Sequence, residues 1–367
     1  MQMISISKNI GFPVIACLSF FASCSDKATN VEMDIPVETV SIPKQDSLPS
    51  LLAGDVSFVK LQEPQQTFAE IDAMQVFNDT LYVFDRNTRN VLMSFDKRGK
   101  YLATFGRRGN ANSEYTRLWA FDVDKDYTYL YDRAKMKMMY FTHDGKFVKA
   151  VNTKFRGDAF KTLANGKFLF SMAFTEDLNK LCLVDNTLKI ENVLLTYSDK
   201  DKDNLSNNVL FQRVGDEIMY NKELNDTVYV FSADDGECVK SYYMNFAKQN
   251  IPQEYKYDFE KLWNDGKDKA YVYIDECPMV WKNLMVIPVS YKGKHGVVYY
   301  DLNGERTDAS GKMMPVVTNP VCLSDKTLVG WMEQGSYKED TMKELVPADI
   351  TAFMKAGGRV LVLGKLR

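Results

Sequence analysis

Short runs of apolar residues, many of them alternating with polar ones, recur along this chain, and within residues 79–151 one pattern of runs occurs twice. The first copy occupies residues 80–106 and the second residues 127–151. The matching positions stand about 46 residues apart and are Asp85 and Asp132, Phe95 and Phe141, and Gly99 and Gly145. Short β-rich runs with a glycine-marked hairpin, repeated at this length, predict the blades of a β-propeller.

The rest of the chain continues this pattern less regularly. An Asn165-Gly166 turn between apolar runs is the strongest short hairpin signal. Further strands are predicted at residues 159–163, 167–170, 180–184, 190–197, 209–214, 217–220, 227–231, 238–246, 270–274, 284–287, 296–300, 320–323, 327–331 and 359–363. Two insertions have helical spacing, near residues 251–269 and 342–356.

The last of these blades is one strand short of four. Residues 57–61 form an isolated alternating run ahead of the first repeat, and a strand there would complete the last blade. Six blades of about 45 residues account for the mature length of the chain with little left over. We therefore predict an all-β fold in one domain, a six-bladed β-propeller over residues 51–367 that the N-terminal strand 57–61 closes.

The N-terminal region has the pattern of a targeting segment. Lys8 is its only charge, and the apolar stretch 10–21 is too short to cross a hydrocarbon layer of roughly 30 Å. The sequence Ala22-Ser23-Cys24 resembles a bacterial lipobox. That resemblance implies a lipoprotein signal peptide over residues 1–23 and lipidation of Cys24, whereas the alternative is a plain signal peptide with an incidental cysteine. Residues 24–50 are polar and contain several prolines, which predicts a flexible tether.

Composition and cysteine usage narrow the function classes. The 46 Lys and Arg against 49 Asp and Glu give a net charge of −3, and the basic residues are dispersed, which argues against nucleic-acid binding. The remaining cysteines, Cys182, Cys238, Cys277 and Cys322, lack metal-ligand spacing. The first three lie in β-like runs and are predicted to be small buried side chains, although a disulfide stays open.

Residues 81–115 resemble an NHL-type repeat, and more closely the repeat of six-bladed β-propeller lipoproteins of Bacteroidetes. Those proteins carry the connector Gly-x-x-Gly-x-Gly-Pro-x-Glu-Tyr, which Gly106, Gly109, Glu114 and Tyr115 match. Residues 111–113 depart from it, because Ala, Asn and Ser occupy the positions around the second glycine and the proline. The resemblance implies a propeller in the cell envelope, as an outer-membrane lipoprotein on either face of that membrane.

Catalytic and metal-binding patterns are weak. His143 and His295 are the two histidines, and both are predicted in turns, which argues against histidine-dependent triads and multi-histidine metal sites. The predicted inner strands offer the carboxylates Asp72, Asp122 and Asp158 without a convincing ring. Residues 122–126 have the carboxylate spacing of a calcium loop but lack its glycine and distal glutamate, so a hairpin with solvated acids fits better. We predict no catalytic residue, metal or cofactor.

Arginines form the most suggestive set of residues in the chain. In a propeller, the loops from second to third strand and the connectors between blades open on one face. The residues expected on these segments or beside them are Arg86, Arg107, Arg108, Tyr115, Trp119, Arg133 and Arg156. Guanidinium groups give bidentate contacts and aromatic rings give stacking faces, so the set predicts a pocket for an anionic or carbohydrate ligand. The alternative is that the arginines only solvate loops.

These observations favour a non-catalytic binding module, held on the membrane through Cys24, for a glycan, a peptide or an envelope protein partner. One competing hypothesis is a metal-assisted hydrolase or lyase of the propeller type. Another is a scaffold that only docks onto a second envelope protein.

Overall fold

A computed structural model describes most of the chain, namely residues 29–30, 35–42, 52–53, 55–62, 69–201, 209–222, 224–281, 283–302, 312–313, 318–324, 327–332 and 345–365. The predicted signal peptide and Cys24 lie outside these residues. The described residues form six small sheets that are the blades of a propeller, so the predicted fold is confirmed.

Blades one to four each contain four antiparallel strands in chain order from the inner to the outer edge. The strands of blade one are Ala73–Phe77, Thr80–Asp85, Val91–Asp96 and Tyr101–Thr104. Those of blade two are Leu118–Val123, Thr128–Asp132, Lys137–Phe141 and Phe147–Asn152. Those of blade three are Gly157–Thr162, Phe168–Met172, Asn179–Val184 and Ile190–Thr196. Those of blade four are Phe211–Val214, Glu217–Tyr220, Thr227–Ser232 and Cys238–Asn245.

Blade five departs from the prediction at its inner edge. Two short strands, Val272–Ile274 and Met279–Trp281, pair one after the other with Leu284–Tyr291, which in turn pairs with Lys294–Asp301. The inner strand is therefore split, and the sequence pattern revealed only its first half. His295 lies within the last of these strands and not in the predicted turn. Lys312–Met313 pairs with Leu52–Ala53.

Blade six joins the two ends of the propeller. Its strands are Thr318–Ser324, Thr327–Met332, Val360–Lys365 and, outermost, Asp55–Lys60. The last two pair antiparallel along their whole length, with Val362 opposite Phe58. The N-terminal strand thus supplies the edge that the last blade lacks, which ties the start of the ring to its end through backbone hydrogen bonds.

The segment predicted as a flexible tether is partly bound to the ring. Val37–Ser41 pairs in parallel with the outer strand Cys238–Asn245 of blade four, and Thr29–Asn30 pairs with Ile190–Thr196 of blade three. An outer strand presents unpaired backbone N–H and C=O groups, and the β-branched residues of Val37–Ser41 suit an added strand. Val40 is buried there, which explains why a mostly polar segment stays on the blade.

The helical insertions lie where the pattern predicted them. A turn of 3₁₀-helix, Ala247–Gln249, precedes the short helices Gln253–Lys256 and Phe259–Asn264. The side chain of Asp258 caps the second of these helices by accepting from the backbone N–H of Lys261 at 3.0 Å.

The helix Ala348–Lys355 packs against blade six. Its buried side chains Ile350 and Met354 are four positions apart and therefore share one face. They belong to an apolar cluster with Phe58 of the closing strand.

The core of the described chain lies between blades and not inside them. Six apolar clusters each join two successive blades, including the junction of blade six with blade one, and a seventh lies beneath the helices near residue 255. Neighbouring blades bury the strands on both faces. This burial explains why the apolar runs in the sequence do not alternate regularly with polar residues.

The repeated glycines serve this packing between blades. Gly99 and Gly145 occupy the turn before the outer strand of blades one and two, with left-handed φ values of +82° and +86°. A Cβ added at Gly99 would lie 2.1 Å from the carbonyl oxygen of Lys60 in blade six, and one at Gly145 would lie 3.0 Å from that of Thr104 in blade one. Each turn therefore rests on the outer strand of the preceding blade.

Candidate functional site

The inner strands of blades one to four surround a cavity of about 180 Å³ on the ring axis. Its polar lining comes from both ends of these strands, with Asp72, Trp119 and Asp158 where the strands begin and Lys161 and Arg213 toward their ends. We call it the axial cavity. The face on which the inner strands begin also carries the loops from second to third strand, and we call it the loop face.

Three of these loops begin with equivalent residue triplets. They are Phe84-Asp85-Arg86 in blade one, Tyr131-Asp132-Arg133 in blade two and Tyr220-Asn221-Lys222 in blade four. In each triplet the aromatic residue is buried in the core and the last residue is a cation.

The middle residues of the first two triplets are structural. Asp85 is fully buried and accepts backbone hydrogen bonds from Ala69 at 2.7 Å and from Arg89 at 2.7 Å, so it ties the blade connector to the loop. Asp132 accepts in the same way from Thr116 at 2.6 Å and from Ala134 at 3.0 Å. The aspartate of the Asp-Arg repeat thus fixes each loop, next to an arginine that contacts Trp119.

The cations of blades two and four converge on Asp158. The Nζ of Lys222 lies 2.7 Å from Asp158 Oδ2, and it also donates to the carbonyl oxygen of Met172 at 2.6 Å. The Nη2 of Arg133 lies 3.1 Å from Asp158 Oδ1, an ion pair without hydrogen-bond geometry. The side chains of Lys222 and Asp158 are 0% exposed and that of Arg133 is 14% exposed, so the group is held inside the protein.

Trp119 lies among guanidinium groups. The Cζ of Arg133 is 4.4 Å from its ring centroid, and those of Arg86 and Arg117 are each 5.1 Å from it. Such contacts are favourable because the face of an indole ring carries negative potential.

Arg86 is itself buried. Burial lowers the pKa of its guanidinium, while the negative charges of Asp72, Glu276 and Asp158 act in the opposite direction. Arginine stays protonated in proteins, so a buried positive charge borders the cavity here.

A second charged group lies toward the other ends of the inner strands. Asp122 is fully buried and accepts from Lys161 Nζ at 2.6 Å and from Thr162 Oγ1 at 2.9 Å. Burial acts to raise the pKa of Asp122, but the charges of Lys161 and Arg213 and the hydrogen bonds outweigh it, so the pKa lies below its usual value. Arg213 Nη2 donates to the carbonyl oxygen of Thr162.

Several side chains that line the axial cavity carry a buried polar atom without a hydrogen-bond partner among the described residues, and four of these atoms lie outside the ion pairs of Asp158 and the contacts of Arg86. They are the three donors Trp119 Nε1, Gln212 Nε2 and Arg213 Nε, and the acceptor Gln75 Oε1. Buried polar groups in proteins are normally paired, and an unpaired one costs about 1–3 kcal/mol. Their concentration in one cavity distinguishes it as a place where a ligand would be held.

A larger cavity of about 440 Å³ lies beside helix Gln253–Lys256. Its buried acid is Asp226, whose pKa is raised by burial although Lys256 and Asn250 act against this rise. Asp226 accepts from both of these side chains. None of the described side chains that line this cavity has a buried polar atom without a partner. The axial cavity is therefore the better candidate.

The structure divides the predicted ligand residues into two groups. Arg86, Trp119 and Arg133 come together at the axial cavity, and the positive charge of the exposed Arg156 acts to lower the pKa of Arg133. The connector residues do not join them. Arg107 is 82% exposed and pairs with Glu114 at 2.7 Å.

Arg108 and Tyr115 also stay outside the cavity. The strand Arg107–Arg108 pairs with Glu114–Tyr115 in the connector, and Arg108 is exposed there. Tyr115 is buried and donates its hydroxyl to the carbonyl oxygen of Asn90 at 2.9 Å. Burial raises the pKa of Tyr115 to about 12. Its role here is structural.

The weaker chemical motifs have structural contacts. His143 Nδ1 lies 3.3 Å from both Tyr82 Oη and Thr128 Oγ1, between blades one and two. In the calcium-like stretch, Asp122 belongs to the axial ion pair, whereas Asp124 accepts from the backbone of Asp126 at 2.8 Å. Across the described residues no group of three or more His, Cys, Asp or Glu side chains is placed to hold a metal ion.

Cys182, Cys238 and Cys277 are unpaired thiols. Cys182 and Cys277 are buried and Cys238 is partly buried. Burial raises the pKa of Cys182 to about 12 and that of Cys238 to about 11, so these thiols are poor nucleophiles near neutral pH. Cys322 lies in the inner strand of blade six.

Sequence reasoning missed Lys222, Lys161 and Arg213 at this site. For Lys222 a signal existed, because Tyr220-Asn221-Lys222 follows the second strand of its blade as Tyr131-Asp132-Arg133 follows that of blade two. For Lys161 and Arg213 there was no such signal, because the sequence does not show which cations within β-strands lie toward the ring axis.

Comparisons with known proteins agree with this architecture. A family model described as a domain of unknown function, DUF4934, matches residues 32–349. No curated protein matches the sequence. None of the helices in the described part of the chain is long and apolar enough to cross a membrane.

Several solved structures are similar in fold. A crystal structure of a Bacteroides fragilis NCTC 9343 protein described as exported aligns with a TM-score of 0.69 and 16% identity, covering 90% of this chain and 100% of that one. A Bacteroides caccae protein of unknown function aligns with a TM-score of 0.39 and 8% identity, covering 64% and 79%. The virginiamycin B lyase of Staphylococcus aureus aligns with 0.37 and 11%, covering 70% and 76%. The first likeness shows the six-bladed fold, and the other two are too distant to carry an argument.

Proposed function

The chain belongs to the DUF4934 family of domains of unknown function, and from this premise we propose that it is an outer-membrane lipoprotein whose propeller binds a ligand without catalysis. The ligand, a glycan, a peptide or a segment of an envelope protein, enters the axial cavity from the loop face. The proposal is supported above all by one observation. Cations from equivalent loops of three blades, Arg86, Arg133 and Lys222, lie against Trp119 or Asp158, beside buried polar atoms that have no partner in the described part of the chain.

Binding fits these residues better than catalysis does. The cations are already held by Asp158 or by the Trp119 ring, so they form a rigid polar frame and not a reactive group. Rigid frames of this kind give orientation and specificity to a bound ligand. The likeness of the leader to a lipobox, of residues 81–115 to an NHL-type repeat, and of the fold to an exported Bacteroides protein supports an envelope location.

A binding assay with the protein purified from membranes in detergent tests the proposed site. Panels of envelope glycans and peptides are screened against the wild type and Trp119→Leu, with Trp263→Leu as the matched control because Trp263 is 58% exposed on its helix. We expect a ligand that the wild type and Trp263→Leu bind equally and that Trp119→Leu binds at least about tenfold more weakly. Turnover of the bound compound in the presence of an added divalent metal would instead favour the hydrolase or lyase hypothesis.

Cell fractionation tests the anchor independently. Cys24→Ala should move the protein from the membrane to the soluble fraction, because Cys24 is the proposed site of lipid attachment. Membrane association that persists in this variant would contradict the proposed anchor and leave the binding proposal intact.

A further inference from the structure

The charges around the axial cavity do not cancel. Five cationic side chains that are buried or partly buried line it or touch its lining, namely Arg86, Arg133, Lys161, Arg213 and Lys222. Four acidic side chains balance them, namely Asp72, Asp122, Asp158 and Glu276. These described residues leave a surplus of one positive charge, to which the exposed Arg117 and Arg156 add at the loop face.

Three of the unpartnered atoms have the same preference. Trp119 Nε1, Gln212 Nε2 and Arg213 Nε are all donors, so three acceptors are needed to satisfy them. Gln212 is only 4% exposed, so bulk water has little access to its side chain. Gln75 donates its Nε2 to the carbonyl oxygen of Val123 at 3.2 Å, which leaves Oε1 to accept from a ligand hydroxyl or amide.

The cavity volume limits what can enter. Pockets for drug-sized ligands measure roughly 300–1,000 Å³, whereas the axial cavity measures about 180 Å³. It therefore accommodates one residue of a longer molecule. The rest of that molecule would extend over the loop face.

We propose that the axial cavity binds the terminal residue of its ligand and that this residue carries a carboxylate. This inference rests on the proposed binding function and specifies the chemistry of the ligand. One carboxylate matches the surplus of one positive charge among the side chains that are not exposed, since solvent screens the exposed Arg117 and Arg156, whereas a phosphomonoester brings about −1.5 to −2. Its oxygens and the hydroxyl or carbonyl oxygens of the same residue meet the three donors. A uronic acid at the end of a glycan and the C-terminal residue of a peptide share this chemistry.

Calorimetric titration of the membrane-purified protein separates these sources. The probes are methyl glucuronide and methyl galacturonide, each against its neutral methyl glycoside, and short peptides with a free C-terminal carboxylate, each against its amide. We expect one acidic class to bind at least about tenfold more tightly than its neutral counterpart, which corresponds to about 1.4 kcal/mol.

Two cavity variants and one control locate the effect. Gln212→Leu and Arg213→Met should weaken binding of the acid at least about tenfold, and Arg98→Met, at a side chain 83% exposed, should not change it. If Gln212 had only a structural role, Gln212→Leu would lower the melting temperature of the protein. Removing an unpartnered buried donor should leave the melting temperature unchanged or raise it.

The outcomes that would overturn this inference are distinct from those that would overturn the proposed function. Equal binding of acid and neutral probes, lost in Trp119→Leu, would overturn the carboxylate assignment and retain the axial binding site. Acid binding that Gln212→Leu and Arg213→Met leave intact would place the carboxylate elsewhere. No binding of any probe, together with no ligand from the wider screen, would overturn both.

Discussion

Lys222 Nζ lies 2.7 Å from Asp158 Oδ2, and neither side chain is exposed, although the two residues are 64 positions apart in sequence. The pair joins the loop of blade four to the inner strand of blade three. Because Arg133 approaches the other carboxylate oxygen, one acid holds cations from two blades at the mouth of the axial cavity. The frame of the candidate site and the packing of blades two, three and four therefore depend on a single carboxylate.

Asp158→Asn should destabilise the fold strongly. Removing this charge leaves Lys222 and Arg133 buried without their counter-ion, and breaking a buried ion pair costs about 3–5 kcal/mol. Chemical denaturation followed by circular dichroism measures the change. Asp144→Asn, which breaks the surface pair with Lys146, should have a much smaller effect. Equal decreases in the free energy of unfolding of the two variants would contradict a larger contribution of the buried pairs.

Acid should destabilise the protein partly through Asp122. Its folded pKa lies below its unfolded value, so the stability that it contributes is present above about pH 3.9 and is lost as the pH falls through the folded pKa. The wild type should exceed Asp122→Asn in free energy of unfolding at pH 7, and the difference should shrink below about pH 3.9. Urea titrations at several pH values measure this. A difference that stays constant with pH would contradict the ion pair with Lys161.

Tyr115→Phe should separate a structural role from a ligand-binding one. The variant loses the buried hydrogen bond to the Asn90 carbonyl oxygen, which should lower the free energy of unfolding by about 0.5–1.5 kcal/mol. Because the folded pKa of Tyr115 is raised to about 12, the wild type should lose this advantage as the pH rises from about 10 through 12. Ligand affinity should not change, and a loss of affinity would return Tyr115 to the site.

Gly99→Ala, at the closure of the ring, and Gly166→Ala, in a hairpin of blade three, form a matched pair. Both glycines have a left-handed φ, +82° and +80°, so an added Cβ should cost about 1–2 kcal/mol at either position. Gly166 has open space around it, whereas the Cβ at Gly99 would clash with the carbonyl oxygen of Lys60. Gly99→Ala should therefore cost a further ~1–3 kcal/mol. Equal melting temperatures for the two variants would contradict the tight contact between blades six and one.

The architecture was predictable because its sequence signals are local and repeated along the chain. Three features recur at one spacing, and each has a local physical role in its blade. They are the aspartates Asp85 and Asp132, the turn glycines Gly99 and Gly145, and the short apolar runs. The second half of the split inner strand of blade five was missed, because so short a strand does not show the repeat pattern. The added strand Val37–Ser41 was missed because its partner lies two hundred positions away.

The candidate site was predictable only in part. Arg86 and Arg133 were included because they follow repeat positions, and Trp119 because it was expected near the same edge. Arg107 was included because connectors open on the same face. Arg107 is instead exposed and forms an ion pair with Glu114, and no local pattern in the sequence predicts that pairing. Asp158 was noticed but not linked to Arg133 or Lys222, since charge pairs across blades depend on the closed ring.

The most direct test of a ligand in the axial cavity uses the indole N–H of Trp119, which lines that cavity and has no partner among the described residues. The chain has four tryptophans, so a ¹H–¹⁵N spectrum of indole-labelled protein is simple, and Trp119→Phe and Trp263→Phe assign two of its signals. On titration with the best ligand from the screen, the Trp119 signal should move saturably while that of the exposed Trp263 stays in place. Binding with an unmoved Trp119 signal would contradict the axial site.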